Sequence, residues 1–143
     1  MTEHDTGQVA ASAADIYDSF FVPALFSEWP ERVLRAAGVG AGHTVLDVAC
    51  GTGVLARTAL EHVGPSGSVT GIDINDGMLA VARKQSAAVT WQTGDAGALP
   101  FADDSFDRVV SQFGLMFFPD RPGALREMRR VSRDGGQVAV AVW

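Results

Sequence analysis

The sequence is poor in cysteine and has no long apolar run, and each shortage excludes a class of protein. A single cysteine, Cys50, cannot form a disulfide within the chain, so nothing favours a disulfide-stabilised secreted domain. No segment approaches the roughly 18 uninterrupted apolar residues of a membrane-spanning helix. The opening residues, MTEHDTGQ, lack the basic and apolar segments of a signal peptide. We therefore expect a cytoplasmic protein.

Positive charge is also scarce. The chain has 11 basic and 17 acidic residues and a formal net charge of -6 at pH 7. Nucleic-acid binding needs a basic surface, so no nucleic-acid partner is expected. The histidines, at positions 4, 43 and 62, lack the spacing of metal ligands, and no metal site is predicted. A late group of arginines is interpreted as the solvated face of a helix: Arg126, Arg129, Arg130 and Arg133.

The chain does have enough apolar residues for one folded domain, since 47% of its 143 residues are hydrophobic. From residue 44 onward, short apolar segments alternate with segments of helical periodicity. The predicted strands are TVLDVA, SVTGID, AVTWQTGD, FDRVVSQF and GGQVAVAVW, and the predicted helices are GVLARTALEHV, NDGMLAVARKQS and PDRPGALREMRRVSR. This alternation predicts an α/β fold with a doubly wound parallel sheet.

The residues before this alternation have a different character. Residues 9–37 are rich in helix formers but are interrupted by Pro23 and Pro30, and WPERVLRAAGV predicts a short helix that ends near Gly38. We place an N-terminal helical cap at residues 1–43 and a ligand-binding domain at residues 44–143, forming one structural unit.

Small and polar residues follow the predicted strands. Doubly wound sheets bind ligands beyond the carboxyl ends of their strands, so these residues are candidates for a binding site. They are Asp47, Ala49, Gly51 and Gly53 after strand one, Asp73 after strand two, Gly94, Asp95 and Ala96 after strand three, and Ser111 and Gln112 after strand four.

The glycine turn by itself fits a dinucleotide-binding site. Residues 51–56, GTGVLA, match the pattern G-x-G-x-x-G/A, and Asp73 lies 20 residues after Gly53. Asp47, however, lies four residues before Gly51, where a carboxylate would repel a pyrophosphate. A carboxylate there suits a ligand with positive charge, and S-adenosylmethionine carries an ammonium and a sulfonium group.

Residues 44–142 resemble the class I S-adenosylmethionine-dependent methyltransferases, in particular the type 11 branch that includes ubiquinone/menaquinone methyltransferases. The resemblance is carried by four motifs in order: VLDVACGTG, GIDINDGML, GDAGALPFADDSFDRVV and SRDGGQVAVAVW. It implies a Rossmann-like sheet of five strands in the order 3-2-1-4-5. It also implies S-adenosylmethionine as the cofactor and S-adenosylhomocysteine as its product.

The resemblance assigns the methionine end of the cofactor to residues near the glycine turn. Asp47 would act near the ammonium group, and the Ala49 carbonyl would accept a hydrogen bond from it. Gly51 and Gly53 would let the backbone approach the ligand, because a Cβ would clash there. Gln112 would line the same end after strand four.

The resemblance assigns the ribose and adenine to residues after strands two and three. Asp73 would accept hydrogen bonds from both ribose hydroxyls. Ile74 and Met78 would pack against the adenine. The Asp95 side chain would accept from the exocyclic amine, and the Ala96 N–H would donate to a ring nitrogen.

Structural roles remain open for several of these residues. Tyr17, assigned to close over the cofactor carboxylate, and Met78 could belong to the core. Asp73 could interact only with a helix dipole, Asp95 could form only an Asx turn, and Asp47 could bond only to local amides.

The implied reaction is transfer of the sulfonium methyl group to a small acceptor by in-line displacement. No catalytic base is predicted. The segment GLMFFPD, residues 114–120, is the candidate wall for an apolar or aromatic acceptor, although its side chains could fill the core instead.

Members of the family normally continue beyond strand five into a further helix and an antiparallel pair of strands. We therefore expect a fragment or a shortened protein whose fifth strand is an exposed edge, which could form a homodimer. Three alternatives to a methyltransferase stay open: a module that binds the cofactor without turnover, an NAD-dependent oxidoreductase, and an assembly partner that has lost ligand binding.

Overall fold

The computed structural model describes residues 13–16, 19 and 28–142 of the chain. Residues 13–16 are helical. The helices that follow are α1 (Trp29–Ala37), α2 (Val54–Val63), α3 (Asp76–Gln85) and α4 (Arg121–Val131), with a short 3₁₀ helix at Leu115–Phe117. The strands are β1 (Thr44–Val48), β2 (Ser68–Asp73), β3 (Thr90–Thr93), β4 (Phe106–Gln112) and β5 (Ser132–Ala141).

The five strands form one parallel sheet in the order β3-β2-β1-β4-β5, which confirms the predicted Rossmann-like topology. The chain runs outward from β1 to β3 on one side and then returns to place β4 on the other side of β1. The carboxyl ends of β1 and β4 therefore flank the switch point of the sheet, where such folds bind ligands.

Two hydrophobic clusters cover the two faces of the sheet. One joins α1 and α2 to Val45 of β1, and the other joins α4 to Leu46 of β1. Because successive side chains of a strand point to opposite faces, Asp47 lies on the same face as Val45, beneath α2. The helix α1 is thus part of the α2 layer, and the division of the chain at residue 43 remains a proposal.

Local signals account for the helix ends. Pro30 occupies the first turn of α1, and Gly38 ends that helix in the left-handed conformation (φ 67°). The side chain of Asn75 accepts a hydrogen bond from the Met78 N–H at 3.1 Å and caps the start of α3. The Asn75 cap lies in the turn that follows β2.

The end of α4 differs from the prediction. The predicted helix ran through Arg133, but α4 ends at Val131, and Ser132 already begins β5. The register between β4 and β5 then shifts, because Phe106 is paired with Ser132 but Arg108 with Gln137. The extra residues of β5 between Ser132 and Gln137 form a bulge that contains the turn-forming Asp134-Gly135 pair. Helical periodicity does not reveal such a turn.

Two of the late arginines are not simply a solvated helix face, which corrects that interpretation. The Arg130 guanidinium donates to Glu127, to Asp103 and to the carbonyls of Leu99 and Phe101. It ties α4 to the loop after β3. Its pKa is raised by the hydrogen bonds to the two acids. Arg133 likewise pairs with Asp107 at 2.8 Å.

Within residues 13–16, 19 and 28–142, no helix is long and apolar enough to cross a membrane. The same residues contain no group of three or more histidine, cysteine or acidic side chains placed to hold a metal ion.

Candidate functional site

The turn after β1 is built on left-handed backbone. Ala49 has φ 58°, Gly51 has φ 57° and Gly53 has φ 90°. The conformation is readily adopted by glycine but costs an ordinary residue such as Ala49 about 1–2 kcal/mol. Non-glycine residues held this way concentrate at functional sites. The turn brings the N-terminal end of α2 to the carboxyl edge of the sheet.

The two glycines of this turn, Gly51 and Gly53, have different surroundings. A Cβ added to Gly51 would meet nothing within 4 Å, so this position faces open space. A Cβ added to Gly53 would overlap the indole ring of Trp91 on β3. Within the protein, the close neighbour of Gly53 is thus Trp91, and a contact of Gly53 with a ligand stays a prediction.

Asp73, at the end of β2, holds the turn in place. One carboxylate oxygen accepts from the Gly51 N–H at 2.9 Å, and the other accepts from the Asn75 N–H at 2.8 Å. A carboxylate oxygen has about two acceptor directions, so each still has capacity for a ligand hydroxyl. The arrangement fits the ribose role assigned to Asp73, although both oxygens already serve the backbone.

Asp47, at the end of β1, is 1% exposed. Its Oδ2 atom has no hydrogen-bond partner. Burial raises the pKa of this carboxyl group well above its ordinary value, and the nearby charge of Asp73 raises it further, against the opposing effect of the Ala56 N–H. A buried carboxyl with an unpartnered oxygen is costly to the fold, so it is a feature to be explained by function.

These groups line a cleft of about 360 Å³ at the switch point. Seven of the predicted site residues meet there, and Gly53 is not among the lining residues: Asp47, Ala49, Gly51, Asp73, Ile74, Met78 and Gln112. None of the described residues that line the cleft is basic, which disfavours a phosphate ligand.

A smaller cavity of about 130 Å³ adjoins the cleft and shares Ala49, Asp73 and Ile74 with it. Of the residues predicted for the adenine, Asp95 and Ala96 line only this second cavity, Ile74 lines both cavities, and Met78 lines only the larger cleft. The Asp95 side chain accepts from the Gly97 N–H at 2.9 Å, as in an Asx turn. Tyr17 lies outside the described residues.

Thr52 is a site residue that sequence reasoning missed. It lines the cleft, is 1% exposed, and its hydroxyl has no hydrogen-bond partner. The Gln112 Oε1 atom is also buried without a partner. The only signal for Thr52 was its place between the two glycines, and such a position does not reveal whether a side chain faces solvent or a cleft.

Cys50 also lines the cleft, but its environment does not suit a nucleophile. Burial raises the pKa of the thiol well above its ordinary value, and the charges of Asp47 and Asp73 raise it further. Since the thiolate is the reactive form, this environment suits a small buried packing residue better than a nucleophile.

An aromatic rim borders the cleft on the β4 side. Phe113 (φ 58°) follows β4 and packs edge-to-face on Trp29 of α1, with 5.6 Å between ring centroids. Phe117, in the 3₁₀ helix, lines the cleft and is 75% exposed. Phe118 instead packs against the hydrophobic cluster under α4. The 114–120 segment is therefore divided, with Phe117 facing the cleft rather than filling the core.

Comparisons with known proteins agree with this geometry. Residues 3–142 match the model of the ubiE/COQ5 methyltransferase family. The chain is 46% identical over 113 residues to the demethylmenaquinone methyltransferase of Staphylococcus aureus, an alignment that covers 77% of this chain and 47% of that protein. The chain thus spans about half the length of the curated relatives it matches.

Solved structures show the same fold. A SAM-dependent methyltransferase from Aquifex aeolicus superposes with a TM-score of 0.80 at 26% identity, covering 93% of this chain and 72% of that one. The [4+2]-cyclase SpnF superposes with a TM-score of 0.71 at 30% identity, covering 80% and 43%. A related fold thus serves a protein named for a different reaction, so function has to be argued from the site.

Proposed function

The chain belongs to the ubiE/COQ5 methyltransferase family, and from this premise we propose that its cleft binds S-adenosylmethionine for methyl transfer. The observation that carries the proposal is the buried Asp47 carboxyl, whose Oδ2 is unpartnered in a cleft without basic lining residues. Once ionised, such a group can pair with a cationic ligand, whereas the described lining residues offer no basic side chain to a phosphate. The family and its structural neighbours imply the same cofactor.

We propose that the methionine end of the cofactor lies in the larger part of the cleft. Asp47 would hold the ammonium group, and the Ala49 carbonyl would accept from it. The open space at Gly51 would admit the ligand against the backbone, and Gln112 and Thr52 would offer their unpartnered oxygens. Buried polar atoms are normally satisfied, so a ligand at this position would complete their hydrogen bonding.

The adenosine would extend from Asp73 into the smaller cavity. Asp73 lines both cavities, which suits a ribose between the two ends of the ligand. Ile74 and Met78 offer apolar surface for the adenine, and Asp95 and Ala96 offer one acceptor and one N–H donor at its edge. Gly53 contributes indirectly, by letting the turn pack on Trp91.

The bound cofactor supplies an electrophilic methyl group, which we propose is transferred in line to the acceptor. The residues of this chain would contribute position and the exclusion of water rather than acid–base chemistry. Phe113 and Phe117 border the cleft and present apolar, aromatic surface to an acceptor. An acceptor related to demethylmenaquinone, the type of substrate named for the Staphylococcus aureus relative, has a flat aromatic ring that would suit this rim.

Isothermal titration with S-adenosylhomocysteine tests the cofactor site. Asp73→Ala should weaken binding by about tenfold or more, because hydrogen bonds to a charged group contribute about 1.5–3 kcal/mol each. Asp134→Ala, which removes an exposed acid outside the cleft, should leave the affinity unchanged. Equal affinity in both variants would contradict the ribose assignment, and tighter binding of NAD would contradict the cofactor.

A methyl-transfer assay with a demethylmenaquinone analogue tests the activity and the acceptor. Phe117→Ala should raise the acceptor KM while leaving the affinity for S-adenosylhomocysteine unchanged, because Phe117 is exposed on the acceptor side of the cleft. The alternative is a module that binds the cofactor without turnover. Binding without methyl transfer would support this alternative.

A further inference from the structure

Two carboxyl groups share the cleft but have unequal surroundings. The Asp73 carboxylate accepts hydrogen bonds from two backbone N–H groups, at 2.9 and 2.8 Å. Asp47 is 1% exposed, and its Oδ2 has no partner. A buried carboxyl with an unpartnered oxygen is held more cheaply with a proton than with a charge, because a buried charge needs compensating bonds.

Within residues 13–16, 19 and 28–142, the only charged group that acts appreciably on Asp47 is the acidic Asp73. The turn after β1 contributes the Cys50 thiol, and β2 contributes the acidic Asp73. The first turn of α2 contributes the Ala56 N–H, while Arg57 in the same turn donates to the Gly53 carbonyl at 3.2 Å. From β4 come two neutral side chains, Gln112 and Ser111, and the Ser111 hydroxyl donates to the Val48 carbonyl at 2.8 Å.

We propose that Asp47 is protonated in the ligand-free cleft and ionises when the ammonium group of a ligand docks beside it. The inference rests on the proposed function and adds a reason why the cleft would select ligands that carry an ammonium group. The carboxylic O–H bond breaks, the proton passes to solvent, and a neutral acid becomes one member of an ion pair. No other reactant is needed. A ligand of the same shape without the ammonium group leaves the acid neutral and loses this pair.

Two consequences separate this arrangement from a permanently charged Asp47. First, binding of an ammonium ligand releases a proton, so its affinity rises with pH by up to about tenfold per unit. Second, a ligand that lacks only the amino group binds without proton release and without this pH dependence. The measurement belongs between about pH 5.5 and 7, below the ordinary pKa of an α-amino group at about 7.7–8.0.

Isothermal titration in buffers of different protonation enthalpy counts the protons released. The probes are S-adenosylhomocysteine and its deamino analogue, in which hydrogen replaces the α-amino group. We expect a release approaching one proton for the first ligand and none for the second. Asp47→Asn should abolish the release for S-adenosylhomocysteine, and retained binding of the deamino analogue would show that the variant is folded.

The outcomes distinguish this inference from the proposed function. If S-adenosylhomocysteine binds the wild-type chain with no proton release at any pH, the inference fails and the cofactor site stands. If neither probe binds the wild-type chain, the proposed function fails and the inference with it. A proton release that persists in Asp47→Asn would assign the proton to another group and overturn the inference. The wild-type titrations decide the matter even if the variant does not fold.

Discussion

The two glycines of the turn after β1 provide a sharp test of the site, because the same substitution should have different effects at each. Gly53→Ala adds a methyl group against the Trp91 ring at a residue with φ 90°. The left-handed backbone costs about 1–2 kcal/mol and overpacking about 1–3 kcal/mol, so the free energy of unfolding should fall by about 2–5 kcal/mol. Gly51→Ala has only the backbone cost, about 1–2 kcal/mol, because its Cβ meets open space.

Ligand binding should show the opposite order. The Gly51 methyl would occupy space in the cleft that we assign to the cofactor. The affinity of Gly51→Ala for S-adenosylhomocysteine should fall by roughly 5- to 150-fold, which corresponds to an overpacking cost of about 1–3 kcal/mol. Gly53 does not line the cleft, so folded Gly53→Ala should bind with a smaller change.

Urea unfolding followed by far-ultraviolet circular dichroism measures the first effect, and isothermal titration measures the second. A Trp91→Leu background removes the ring that Gly53→Ala would overlap, so in that background the cost of Gly53→Ala should fall to about 1–2 kcal/mol. Equal destabilisation by the two substitutions, or an undiminished Gly53→Ala cost in Trp91→Leu, would refute the reasoning.

Three further predictions concern stability and association. The Asp107 carboxylate accepts a hydrogen bond from the Thr44 N–H, and this bond, together with Arg133, lowers the pKa of the carboxyl. Asp107 therefore stabilises the fold above the unfolded pKa of about 3.9, and this contribution is lost as pH falls through the folded pKa. The free energy of unfolding should therefore fall less steeply with decreasing pH in Asp107→Asn than in the wild-type chain. An unchanged pH dependence would argue against this role of Asp107. Arg130→Met should lower the urea midpoint of unfolding, because the 99–103 loop loses its hydrogen-bond donors. An unchanged midpoint would show that the loop does not depend on these bonds. The β5 edge, where Val138 is 39% exposed, should promote association of this chain. Val138→Lys should reduce this association in sedimentation experiments. A wild-type chain that stays monomeric at high concentration would contradict the prediction.

Much of the fold could be predicted because local signals and the tertiary structure agree. The predicted strand SVTGID coincides with β2, and the Asn75 cap and the Gly38 helix end lie where turn chemistry places them. The β4–β5 connection was harder, because Ser132 continues the helical pattern but enters the sheet. Sequence periodicity reports which residues are apolar, whereas the start of a strand depends on the neighbour with which it pairs.

By itself the sequence determined the class of fold, the strand order through its family resemblance, and seven of the residues that line the cleft. This was possible because a parallel sheet brings the ends of its strands together, so that residues after successive strands meet. Only the tertiary structure decided what each of these residues contacts. It placed Trp91 under Gly53, left Gly51 open, joined Asp73 to two backbone amides and buried Asp47 without a partner for one oxygen. These contacts join residues far apart in the chain, and burial, which governs the charge of Asp47, results from all of its neighbours together.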